Sequence, residues 1–113
     1  MPAESVARVR LMDGPPEFDG AALLLRFWVD IDGQRVHCAI TAEALEDHFG
    51  ARGALEGDLR AAFERGRERI RAACADVLAH GNGGVVLHSG YFRSRDRAVA
   101  ALAKARAVEP TRR

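Results

Sequence analysis

The sequence predicts an α+β fold: a small antiparallel sheet of three to four strands, built on a β-hairpin centred on Asp32-Gly33, with a short and a long helix packed on one face and an extra C-terminal helix. Three observations predict it. Two alternating apolar runs flank Asp32-Gly33 in "LLLRFWVDIDGQRVHCAI", apolar residues recur every three or four positions from Leu55 to His80, and the turn-rich stretches "DGPPEFDG" and "HGNGG" separate these blocks. A chain of 113 residues supports one core. The expected organisation is a single α+β domain over residues 1–92, followed at 93–113 by a basic Ala/Arg-rich helix and tail.

The first element, "SVARVRLM", alternates with Ala7, Val9 and Leu11 on one side and Arg8 and Arg10 on the other, the pattern of a half-buried strand. The prolines and Asp-Gly steps of "DGPPEFDG" end it. In the next block Asp32-Gly33 is the dipeptide that a two-residue type I′ turn prefers, because both turn positions need positive φ. This turn sets the register: Val29 opposes Val36, Phe27 opposes Cys38 and Leu25 opposes Ile40 on an apolar face. Asp30 meets Arg35, Trp28 meets His37 and Arg26 meets Ala39 on the other.

After this hairpin, Thr41 is a good N-cap for the short helix "AEALEDHF", with Glu43 and Glu46 near its start and Gly50 available to end it. Ala44, Leu45, His48 and Phe49 are its inward positions or their flanks. The long helix from about Leu55 to His80 carries Leu55, Leu59, Phe63, Gly66, Ile70, Cys74 and Val77 on its inner stripe. Gly66 costs this helix roughly 1 kcal/mol relative to Ala but admits a close neighbour, expected to be the sheet. "HGNGG" stops the helix, and "VVLHS" opens a last strand with Val85 and Leu87 on one face and Val86 and His88 on the other. "SRDRAVAALAKARAV" is expected to form the extra helix, with Ser94 as N-cap and Asp96 in its first turn.

Charge excludes little by itself, because the net value of +1 favours neither a polyanion nor a membrane. The distribution is uneven: residues 1–92 hold 10 Lys+Arg against 14 Asp+Glu, whereas 93–113 hold 7 against 2. Arg93, Arg95, Arg97, Lys104 and Arg106 thus form a basic tail, the one feature that could touch nucleic acid. No apolar run reaches the roughly 18 residues of a membrane span, and the first residues lack the apolar core of a signal peptide, so the expected location is the cytoplasm. The arginines of "FERGRERIRAA" have acidic neighbours three or four positions away and read as a self-compensated surface. Arg67 is the exception, since it falls at the margin of the apolar stripe and needs an interhelical partner, expected to be Glu43, Glu46 or Asp47.

Reactive candidates are few. His37 and Cys38 are adjacent, yet neighbours in a strand point to opposite faces, so the thiol faces the core and the imidazole faces away. Cys38 and Cys74 are expected to be buried free thiols. His48 reads as a surface histidine at a helix end. Trp28, Asp30, His37 and His88 form the candidate surface on the far face of the sheet, with no catalytic residue, metal set or cofactor assigned.

The run "RFWVDIDGQRVHCAITAEALEDHFG", followed by "FERGRERIRAACADVLAHG" and "VVLHS", resembles the small bacterial family catalogued as domain of unknown function 1488. The resemblance covers about Ala22 to Phe92, and "DGQRVHCAITAEAL" is its most specific part. It implies an antiparallel sheet with helices packed on it and supplies no activity, cofactor or catalytic residue. The extension after Phe92 departs from the usual end of the family. On these grounds the chain is expected to be a non-enzymatic module that binds a protein partner, in the first instance a second copy of itself through the Trp28 face, the C-terminal helix or an open sheet edge, with nucleic-acid binding by the tail as the alternative.

Overall fold

The structure, a computed structural model, describes residues 8–79 and 84–95. In chain order it contains β1 (Val9–Leu11), β2 (Glu17–Asp19), β3 (Leu24–Ile31), β4 (Gln34–Thr41), α1 (Ala42–His48), α2 (Glu56–Arg65), α3 (Arg67–Ala79) and β5 (Val85–Leu87), then a helical segment α4 at 89–95. The predicted α+β class stands, with one sheet and the helices over one of its faces. The predicted ends of the long helix at His80 and of its "GNGG" stop at residues 81–83 lie outside the described residues, as do Asp96, Arg97, Lys104 and Arg106.

The hairpin forms as its sequence dictates. Asp32 and Gly33 both have positive φ, 51° and 92°, and every pair from Leu24–Thr41 to Ile31–Gln34 falls in the expected register. Leu25, Phe27, Val29, Cys38 and Ile40 are consequently buried, while Trp28, Arg35 and His37 are exposed. A slip of one residue would exchange these two sets, so the hydrophobic term alone enforces the pairing.

The sheet differs from the expected three or four antiparallel strands in two respects. First, "DGPPEFDG" is not only a breaker, since Glu17–Asp19 forms β2 on the same side of β3 as β1. Leu11 pairs with Val29 and Glu17 with Arg26, so the five residues 12–16 stand against only 27–28 and three are looped out. An odd insertion inverts the alternation, and this is why Phe18 in β2 faces the core beside Leu25 as Val9 does in β1. The two prolines hid the strand, because Pro removes a ladder donor and reads as an edge or a break. Second, β5 pairs with β4 in parallel, Cys38 with Val85 and Ile40 with Leu87. The intervening helices return the chain to the start of β4, and a parallel neighbour requires a crossover of that kind.

The single long helix is also corrected. It is broken at Gly66, whose N–H bonds to the carbonyls of both Ala62 and Phe63. A Cβ at Gly66 would lie 2.4 Å from the Phe49 ring, so it is this ring from the end of α1, rather than the sheet, that needs the glycine. Leu55 is not on the inner stripe: it is the N-cap of α2 and 74% exposed. Thr41 caps α1 as predicted, its Oγ1 accepting from the Ala44 N–H at 3.1 Å, and Gly50 follows the helix with φ of 77°.

The core lies between the sheet and these helices. Leu59, Ala62 and Phe63 of α2 and Ile70, Ala73 and Cys74 of α3 meet Leu25, Phe27, Val29, Cys38, Ile40, Val85 and Leu87, with the Phe27 and Phe63 rings 5.1 Å apart. Each buried Val, Leu, Ile or Phe among them contributes about 1.5–3 kcal/mol by leaving water. Ser94 does not cap a separate helix, because the helix already runs from 89 and carries Phe92 into the core. The expected boundary between 92 and 93 therefore falls inside α4.

Candidate binding surface

Arg26, Trp28, Asp30, Arg35 and His37 alternate with the core set and project from the opposite side of β3 and β4, where Leu24 and Ala39 are the buried members. Trp28 is 44% exposed. The His37 ring stacks on it, with centroids 4.4 Å apart and planes 26° from parallel, and the Arg35 guanidinium sits 5.6 Å from its centroid. Asp30 takes the Arg10 guanidinium at 3.1 Å through Oδ2, while its Oδ1 is buried without a hydrogen-bond partner among the described residues. On the same face Arg26 pairs with Asp19 at 2.7 Å. The Ala22 N–H and this guanidinium hold the Asp19 carboxyl below its ordinary range.

Three members of the predicted surface, Trp28, Asp30 and His37, come together here. His88 does not join them. His37 lies level with Gly84 and His88 one residue past Leu87, four positions further along the strand or roughly 13 Å. Among the described residues no group of three or more His, Cys, Asp or Glu is placed to hold a metal ion.

The Met12 N–H still donates to the Trp28 carbonyl at 3.0 Å, and beyond it, where the chain bulges out before β2, a cleft of about 240 Å³ opens beside Trp28. Trp28, His37 and Arg26 line it from the sheet, and Asp13, Gly14 and Glu17 from the bulge and the start of β2.

Arg67 corrects the predicted interhelical tie to Glu43, Glu46 or Asp47. Its guanidinium pairs with Glu64 one turn back at 2.7 Å, lies over Phe63, and donates to the carbonyls of Met12 at 3.3 Å and Gly14 at 2.6 Å. The bend at Gly66 turns Arg67 toward the bulge and away from α1. The Glu64 pair holds Arg67 above and Glu64 below their ordinary ranges. Arg60 repeats the pattern with Glu56 and the Pro16 carbonyl, and Arg71 with Glu68 and the Val9 carbonyl at 3.4 Å. The tie to α1 is made instead by Arg65, which donates to the Phe49 and Gly50 carbonyls, and by Arg69, which donates to that of His48 at 2.7 Å. Cations at a helix C-terminus complete the orphan carbonyls there.

A second polar cluster escaped the sequence. Ser89, 3% exposed, donates to Asp47 Oδ2 at 2.6 Å, and His48 Nε2 lies 3.2 Å from the same hydroxyl. Because a hydroxyl has one proton, His48 Nε2 must be the donor to Ser89. The proton that a nucleophilic serine would give to imidazole is thus committed to a carboxylate, in a buried position, which is the arrangement of a structural tie. No spacing in the sequence links Asp47 and His48 to a serine some forty positions away. Of the basic tail, Arg93 contacts Ser89 Oγ at 3.4 Å and Arg95 pairs with Asp76 at 3.6 Å. The Tyr91 hydroxyl also donates to Asp76, at 2.7 Å, and burial with this bond raises the Tyr91 pKa to about 12. Cys38 and Cys74 are both free and buried. The neighbouring Cys38 and burial push the Cys74 thiol up, away from the thiolate that reactivity needs.

A family model matches residues 12–86, from the bulge to the last strand. The chain belongs to the family described as protein of unknown function (DUF1488). The matched span begins ten residues before the resemblance at Ala22 and ends within β5, so the bulge and the cleft beside Trp28 lie inside the family region and α4 beyond it. No curated protein and no solved structure shows significant similarity to the chain. Among the described residues no helix is long and apolar enough to cross a membrane.

Proposed function

We propose that this DUF1488 chain is a non-enzymatic, cytoplasmic bacterial binding module, and that its open sheet face holds a second copy of the same face. The observation that carries this reading is Trp28, a large aromatic held 44% exposed and braced by His37 in the middle of a sheet face. A rigid amphipathic ring loses little entropy on docking and is the residue type that dominates interface energetics. Val86, 49% exposed, extends the apolar surface across β5. Around them Arg10 pairs with Asp30 and Arg26 with Asp19, and Arg35 stands opposite Asp30. A face with both signs in near balance can meet its own copy about a two-fold axis without net repulsion. The alternative, nucleic-acid binding through the basic tail, is weakened because Arg93 and Arg95 turn toward Ser89 and Asp76.

Sedimentation equilibrium tests the reading. The wild-type chain is expected to dimerise, and Trp28→Ala to be monomeric with an unchanged circular dichroism spectrum. A wild-type chain that stays monomeric at several hundred micromolar, or a Trp28→Ala dimer of undiminished strength, defeats it.

A further inference from the structure

We infer that the cleft between Trp28 and the 12–16 bulge is a binding site for a small organic cation, of the guanidinium or methylated-ammonium class. It exists because of the three looped-out residues. Met12 bonds to the Trp28 carbonyl, after which the chain leaves the sheet until Glu17 pairs with Arg26, and a gap of about 240 Å³ remains between this bulge and Trp28. The indole forms one wall, and an indole attracts cations through its quadrupole, as it already does the Arg35 guanidinium 5.6 Å from its centroid.

The charges select the sign of the ligand. Arg26, the one guanidinium lining the cleft, is neutralised by Asp19 at 2.7 Å. The two carboxylates opposite are not similarly matched. Among the described residues Glu17 forms no ion pair, and Asp13 has only a through-space attraction to Arg67, which is held by Glu64. An anion would meet Asp13 and Glu17 uncompensated. A weakly hydrated, flat or alkylated cation gains both the carboxylates and the indole, and loses little hydration on entry. The bulge is itself held in place, since Arg67 fixes the Met12 and Gly14 carbonyls, so the walls are formed before a ligand arrives.

This inference stands on the cleft and not on self-association. Its test uses the full chain at pH 8, with methylguanidinium and tetramethylammonium as probes and benzoate at matched ionic strength as the anionic control. Trp28 is the single tryptophan, so one indole N–H resonance in a proton–nitrogen spectrum reports on the site. The expected result is a saturable shift with a Kd on the order of millimolar, weakened about tenfold or more in Asp13→Asn/Glu17→Gln and partly in Glu17→Gln alone. No saturation, equal binding of benzoate, or an unchanged Kd in the double variant overturns the site. Sedimentation of the same samples separates the two readings: saturable cation binding by a monomeric chain keeps the cleft and removes the dimer, and a dimer without cation binding does the reverse.

Discussion

The two faces of β3 and β4 are made by alternate residues of the same strands and differ only in the parity of position. On one, Leu25, Phe27, Val29, Cys38 and Ile40 are sealed beneath α2 and α3. On the other, Trp28 and His37 stack in the open and every carboxylate has a guanidinium within reach or a cleft before it. The difference teaches that stability and recognition are separable here by single substitutions. A buried side chain is coupled to many neighbours and its loss leaves a cavity, while an outward one is coupled to water and to a partner.

The largest expected effect comes from the sealed side. Phe63→Ala removes a ring packed on Phe27 and should cost about 3–5 kcal/mol in urea unfolding. A cost below about 1 kcal/mol would mean that the helices do not seal this face. Gly66→Ala follows, because its methyl would stand 2.4 Å from the Phe49 ring and must displace it. The expected loss is about 1–3 kcal/mol, although alanine is the better helix former, so a stabilised variant would show that the ring moves freely. Ser89→Ala leaves Asp47 and His48 without their shared hydroxyl, with an expected cost of about 1–2 kcal/mol.

Tyr91, the only tyrosine, should ionise near pH 12 by its absorbance near 295 nm, and at lower pH in Asp76→Asn. Its folded pKa exceeds its unfolded value near 10, so its stabilising contribution is complete below pH 10 and is lost as the pH rises toward 12. The smallest effect on folding belongs to the open side. Trp28→Ala should change stability by less than about 1 kcal/mol while abolishing association, and a larger destabilisation would show that the indole belongs to the core after all.

The hairpin was fully legible in the sequence, because Asp32-Gly33 specifies a turn and strict alternation specifies a register, both local signals. The stacked pair of Trp28 and His37 followed from that register. What was not legible depended on partners distant along the chain. The break at Gly66 is imposed by Phe49, and the direction of Arg67 by the bulge that the break points it toward. β2 was obscured by prolines that serve the loop beside it. The direction of β5 depends on where three helices deliver the chain, which no local pattern encodes. The cleft inherits this invisibility, since it is made by a mismatch between two strands and not by a motif.

The parallel strand also governs the order in which the molecule can be assembled. The β3–β4 ribbon closes contacts separated by at most 17 positions, whereas joining Cys38 to Val85 spans 47 and needs the whole helical layer first. Loop closure of that length is the slow step in forming a sheet. During synthesis the ribbon can therefore zip early with the far edge of β4 bare, and that edge stays open to pairing with a foreign strand until residues 85–87 arrive.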